Sequence, residues 1–179
     1  EPRGKGDERG SCPPFVGSWS AFFLAVNRGK RGLTLDLKAE RDAAVLRRLL
    51  ELADVVVENV RPGGLDRLGF ALDAVLALNP RIVYWSISGY GHTGPLRALG
   101  GYDPIMQAES GFMSLNGVPE GPPFRTGVAM TDYLSAVYAM AGILLALRHR
   151  DQTGRGQHVD IALFDAIFST LARPVVHVE

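Results

Sequence analysis

Apolar and polar positions alternate with period two over residues 33–37 (LTLDL), the pattern of a half-buried strand. Over residues 39–53 the period lengthens, and Ala43, Leu46, Leu49, Leu50 and Ala53 fall on one helical face. Asp54 punctuates, and residues 55–57 form a short, wholly apolar strand. Strand, amphipathic helix and apolar strand in that order predict a βαβ unit with parallel, right-handed connectivity. The alternation of periods continues through the turn-forming RPGGLDRLGF, a helix over residues 72–78, the breaker Asn79-Pro80 and a strand over residues 81–88 (RIVYWSIS). A glycine- and proline-rich loop, residues 89–101, is long enough to suggest a functional segment. Beyond it the chain predicts a helix at 103–110, a second glycine-bearing loop at 121–130 (GPPFRTGVAM) and a strongly apolar helix at 133–147. That helix ends near residues 148–150, where basic side chains suit its negative pole. A turn at 153–157, a strand at 158–162 and a helix from Leu163 complete the pattern. The predicted fold class is α/β, with parallel strands and flanking helices.

Composition narrows the function classes. The 179 residues predict one domain or most of one, and an apolar fraction of 46% suffices for a packed core. The 19 basic side chains balance 19 acidic ones, so no net field draws the whole surface to nucleic acid or an anionic membrane. Any anion site has to be local. Cys12 is the single cysteine, and His92, His149, His158 and His177 are scattered, so neither an internal disulfide nor a metal site is predicted. No window reaches the apolar length of a membrane span and the start EPRGKGDERG is polar, which predicts a cytoplasmic protein. The charged, glycine-rich start, and an end on RPVVHVE directly after an apolar helical run, predict a piece of a longer protein.

Asp132 stands where the second glycine-bearing loop meets the apolar helix. A carboxylate in a first helical turn faces unpaired N–H groups and the positive pole of the macrodipole, which favour its ionised form. Two uses are open: Thr131 or Asp132 caps the helix, or Asp132 is the nucleophile of an acyl transfer. Gly89, Gly91 and Gly94 spell GxGxxG after a strand, yet Pro95 and the pair Gly100 and Gly101 continue a loop where a dinucleotide fingerprint would open a helix. That context argues against nicotinamide binding. Arg28, Lys30, Arg31 and Lys38 are either a phosphate-holding cluster or a solvated charge run. Arg61 and Arg67 either bind a ligand or flank a turn; Asp103 either caps its own helix or serves a site, beside a Tyr102 that packs or does not. No Ser-His-Asp order, HExxH or Walker sequence is present.

Several blocks in register are more specific than any of these motifs alone: PPFVG, NRGKRGLTLDLK, ADVVVENVRPGGLDRLGF, LNPRIVYWSISGYGHTGP, GGYDPIMQAESGFM, GVAMTDY and TGRGQHVDIALFDA. In that order they resemble the family III CoA-transferases, the group that includes formyl-CoA transferase and carnitine CoA-transferase, with α-methylacyl-CoA racemase as a relative. The resemblance spans nearly the whole chain. It implies a Rossmann-like large domain, here without its first strand and glycine turn, belonging to a longer two-domain protein. It also implies a small second domain and two interlocked subunits forming a homodimer.

The resemblance further implies that Asp132 is the nucleophile, and that coenzyme A and acyl-CoA are substrates rather than resident cofactors, with a small carboxylic acid as acceptor. CoA contacts carry over onto Leu35, Asp36, Leu37 and Lys38, onto Asn59, Val60 and Arg61, onto Arg67, and onto Gly100, Gly101, Tyr102 and Asp103. Two family positions do not match: an arginine aligns with Pro2, beside Arg3, and a lysine of formyl-CoA transferase falls on Gly100. The racemase places a histidine base at Tyr102. Removing an α-proton requires a group that titrates near neutrality, to which tyrosine is poorly suited, so transfer is favoured over racemisation or epimerisation. An inactive CoA-binding fragment is the alternative from another functional class.

Overall fold

The computed structural model describes residues 6–172, and the chain divides into two compact units, one ending at Leu49 and one beginning at Leu50. Pro2, Arg3 and His177 lie outside the described residues. In the first unit a short hairpin pairs β1 (Phe15–Val16) with β2 (Trp19–Ser20) across Gly17, whose φ of +61° suits a residue without a side chain. Ser20 then caps α1 (Ala21–Asn27), its hydroxyl accepting the Phe23 N–H at 3.2 Å.

The alternating residues 33–37 do not form the predicted strand, and the sheet of the second unit does not include them. Asp36 diverts the backbone. Its N–H donates to Asp42 Oδ2 at 2.8 Å, its Oδ1 accepts from Lys38 N–H at 3.1 Å, and its carbonyl accepts from Ala39 N–H at 2.9 Å. Local side-chain bonds of this kind compete with a ladder, and here they form a turn that feeds α2 (Glu40–Leu52). Ala43 and Leu50 on α2 are buried as predicted, but Leu49, at the edge of the apolar stripe, is exposed.

The second unit is α/β with a parallel sheet. Its strands β3 (Val55–Glu58), β4 (Val83–Ser88) and β5 (His158–Ala162) lie in the order β3-β4-β5, with Val55 opposite Val83 and Tyr84 opposite His158. The βαβ connection therefore runs from β3 through α3 (Leu72–Leu78) to β4, one unit later than the periodicity predicts. Asn79 does more than break α3: its amide donates to the carbonyls of Leu50 and Ala53, each at 3.0 Å, while its Oδ1 accepts from Arg81 N–H. The chain returns from β4 to β5 through α4 (Asp103–Glu109) and α5 (Met130–Thr153), and α6 (Leu163–Phe168) follows β5 directly.

Helix α5 starts three residues earlier and ends six later than its apolar run, because Met130 and Thr131 adopt helical geometry and Gly154, at φ +75°, supplies the left-handed C-cap. The expectation that no window reaches a membrane span fails here, since α5 is long and apolar enough to cross a bilayer. In this fold its Thr131, Ser135, Ala139 and Ala146 are buried and it packs on β4, β5 and α6. A core of Met106, Leu163 and Ile167, bordered by Ile87, Met130 and Leu134, supports the helix at its beginning.

Candidate active site

Strands β3 and β4 end on the same edge of the sheet, the edge where open α/β folds place ligands. Asn59, Val60 and Arg61 leave β3 there, all three exposed, and Val60 N–H is held by Glu58 Oε2 at 2.8 Å. The loop after β4 folds back on its own start. A methyl group added at Gly89 would lie 2.9 Å from Gly101 N, and one at Gly101 would lie 2.9 Å from Gly89 Cα. Only paired glycines allow backbones this close. The Arg61 guanidinium occupies the side-chain space of Gly100, since a Cβ there would meet its Nη2 at 3.1 Å. Residues 59–61 and 100–103 thus adjoin one another, and Arg67 lies beside the turn at Gly63.

GxGxxG opens no helix: Gly91 and Gly94 adopt φ of +82° and +83°, and the next helix begins only at Asp103. Tyr102 does not pack; it is 75% exposed. Asp103 does not cap α4, whose N-cap is Tyr102 without a side-chain bond. Instead Asp103 is buried, and its Oδ1 accepts the Thr131 N–H of α5 at 2.8 Å while its Oδ2 accepts from Gln107 Nε2 at 2.8 Å. The first intrahelical bond of α5 joins Tyr133 N–H to Ala129 O, so earlier amides need other acceptors. Met130 N–H finds Val128 O at 2.7 Å, and Thr131 N–H finds Asp103.

Neither Thr131 nor Asp132 caps α5, whose N-cap is Ala129. Asp132 is exposed in the first turn, where the macrodipole favours its negative charge. The structure therefore connects residues 59–61, residues 100–103 and the start of α5. Leu35, Asp36, Leu37 and Lys38 belong to the first unit, with the two leucines half-buried and Asp36 and Lys38 exposed.

Residues that no motif singled out make further contacts in the second unit. Gln107, fully buried, sits four positions after Asp103 on α4, a spacing that the sequence displays but whose partner loop it does not. His92 N–H donates to Asp160 Oδ2 at 2.9 Å, and its Nε2 lies 3.6 Å from Glu58. Ser86 Oγ and His158 Nε2 are 2.9 Å apart, and the two imidazoles meet edge to face at 5.8 Å.

Burial holds the His158 imidazole below its usual pKa, and His92 opposes its protonation, against the attraction of Asp160 and Glu58. A folded-state pKa below that of the unfolded chain means that the unfolded state binds the proton first as pH falls through about 6.5. Stability is then fully present above that pH and declines below it towards the lowered folded pKa. Urea midpoints at pH 7.5 and 5.5 should show this loss, and His158→Gln should reduce it. An unchanged loss in the variant would assign the effect to other groups.

A family model of CoA-transferase family III matches residues 1–178. The chain is 44% identical over 172 residues to an acetyl-CoA:oxalate CoA-transferase of Acetobacter aceti, covering 96% of this chain and 44% of that protein. It is 43% identical over 177 residues to a succinate–glutarate CoA-transferase of Agrobacterium fabrum, again covering 96% and 44%. The crystal structure of a CAIB/BAIF family protein from Brucella suis superposes with a TM-score of 0.89 at 42% identity, covering 94% of this chain and 46% of that one. The chain spans less than half the length of these relatives. The blocks that build the sheet edge and the start of α5 lie inside the matched range, and the chain belongs to CoA-transferase family III.

Proposed function

We propose that this chain carries the nucleophile and part of the CoA site of an enzyme that moves CoA from an acyl-CoA thioester to a free carboxylic acid. The observation that carries the reading is Asp132, exposed in the first turn of α5 and joined through Asp103 to the glycine loop against which Arg61 lies. A carboxylate there is oriented by the helix start and kept ionised by its dipole, as a nucleophile requires. The names of the A. aceti and A. fabrum relatives, both CoA-transferases acting with small dicarboxylates, support the substrate class.

In this reading the Asp132 carboxylate attacks the thioester carbonyl and expels the CoA thiolate, leaving a mixed anhydride. The thiolate attacks the aspartyl carbonyl, releases the acyl group as its carboxylate and forms an aspartyl-CoA thioester. The acceptor carboxylate attacks this thioester to give a second anhydride and thiolate. Attack of the thiolate on the new acyl carbonyl yields the product thioester and regenerates Asp132. CoA is a substrate throughout, contacted within the second unit by Arg61, Arg67, the backbone of Gly100 and Gly101, and the segment at Asn59–Val60. A tyrosine at position 102, where the racemase has a histidine, is poorly suited to the proton abstraction a racemase needs.

In the complete protein this large domain joins a small one in an interlocked homodimer in the cytoplasm. A cover of that kind suits the exposed apolar side chains of α5, among them Val137, Met140, Leu144 and Leu145. The test is to incubate the full-length protein with acetyl-CoA or succinyl-CoA and no acceptor acid, then to analyse the peptide bearing Asp132 by mass spectrometry. A CoA adduct convertible by hydroxylamine to a hydroxamate is expected on Asp132. Turnover by the same preparation without any adduct at that residue would overturn the assignment.

A further inference from the structure

Asp103 begins α4 and Asp132 stands in the first turn of α5, and the two helix starts are joined through the Asp103 side chain. Asp103 is 7% exposed, and both of its oxygens accept hydrogen bonds, one from the Thr131 amide and one from Gln107. A buried carboxylate needs such partners to offset its lost hydration. Buried and already accepting at both oxygens, it is turned towards the protein rather than a substrate, and its charge would oppose an anionic CoA phosphate. Gln107 is equally committed: its Oε1 accepts from Thr126 N–H at 2.9 Å and from Thr126 Oγ at 3.2 Å. The stretch from Thr126 to Thr131, directly before Asp132, is thus tied to α4 at both of its ends.

We infer that Asp103 is a positioning residue, which through the Thr131 amide and Gln107 sets the direction in which the Asp132 carboxylate leaves α5. The inference rests on the reading of Asp132 as nucleophile and replaces a direct CoA contact for Asp103. It follows from the polarity of the chain of bonds. Asp103 only accepts and the Thr126 amide only donates, so Gln107 has to turn its nitrogen towards Asp103 and its oxygen towards Thr126. Asp103→Asn keeps an acceptor for Thr131 but sets an NH2 group against the NH2 of Gln107. Turning the Gln107 amide over would relieve that clash only by opposing two donors at Thr126. A second change, Gln107→Glu, keeps the Thr131 and Thr126 amides as donors, restores the bond between positions 103 and 107 with its polarity reversed, and leaves the summed charge unchanged; it gives up only the longer Gln107 Nε2 contact to Val128 O at 3.4 Å.

The experiment measures single-turnover formation of the Asp132 adduct in the full-length protein with acetyl-CoA or succinyl-CoA, together with CoA affinity, in wild type, Asp103→Asn and Asp103→Asn/Gln107→Glu. A misdirected nucleophile should form the adduct about 10- to 100-fold more slowly in the single variant, with CoA affinity changed by no more than about twofold. The double variant should recover to within about threefold of wild type, and this comparison holds even where the single variant folds poorly. Unchanged adduct formation in Asp103→Asn, or a loss confined to CoA affinity that the double variant does not recover, would overturn the inference. Absence of the adduct in wild type would instead remove the reading of Asp132 on which it rests.

Discussion

Asp132→Asn should lower CoA transfer by on the order of 10⁴-fold or more while the protein stays folded, since removing a covalent nucleophile leaves only the contribution of binding and orientation. The amide is nearly isosteric with the carboxylate but cannot open a thioester. Its structural cost should be modest, because the residue is exposed in the first turn of α5, where the interaction of its charge with the helix pole is worth about 0.3–1 kcal/mol. Asp132→Glu keeps the charge and moves the oxygens by roughly one methylene, a displacement that costs about 10²-fold when geometry matters. Steady-state transfer and thermal unfolding of the same samples check both variants. If Asp132→Asn transfers CoA at the wild-type rate, the carboxylate is a helix-start residue and the covalent route is wrong.

The second large effect is on stability. Gly156→Ala should destabilise the protein by about 4 kcal/mol or more, a value in the range of severe backbone conflicts. The added Cβ would stand 1.9 Å from Ile82 O, 2.5 Å from Ile82 C and 2.7 Å from Arg81 C. All three are backbone atoms leading into the central strand β4, and Ile82 is fully buried, so no side-chain rotation relieves the clash. Gly156 N–H also donates to Pro80 O at 2.9 Å, and this bond would break as the chain moved away. Gly127→Ala is the matched control, because open space surrounds that position and its φ is not left-handed; a change within about 0.5 kcal/mol is expected. Urea unfolding of both variants decides the point, and equal midpoints would contradict the close approach at Gly156.

Much of the second unit is legible from period alone. The runs at β3, β4 and β5 and the long apolar helix α5 are local patterns; the strands form within two residues of their predicted limits, and α5 contains its predicted range and extends past it at both ends. The failures have equally local causes. At residues 33–37 the alternation is right for a strand, but Asp36 spends its backbone and side chain on a turn. At the start of α5 the two expected capping residues lie inside the helix, because the acceptor that the first turn needs comes from elsewhere in the chain.

For the candidate site the division is sharper. The order of blocks along the chain carries the family resemblance, and with it Asp132, the CoA-contacting stretches and the class of chemistry proposed for them. None of the local patterns states that Asp103 reaches forward 28 residues to the Thr131 amide, that Gln107 ties down Thr126, or that Arg61 lies in the space left by Gly100. Nor do they show that His92, one of four scattered histidines, meets Glu58 and Asp160. Secondary structure follows from periodicity and turn chemistry because those forces act between neighbours in sequence. The partners of a buried carboxylate are chosen by the packing of distant segments, and so the sequence by itself determined most of the elements, the family and the candidate nucleophile, while the tertiary structure decided which distant groups meet the helix start that carries it.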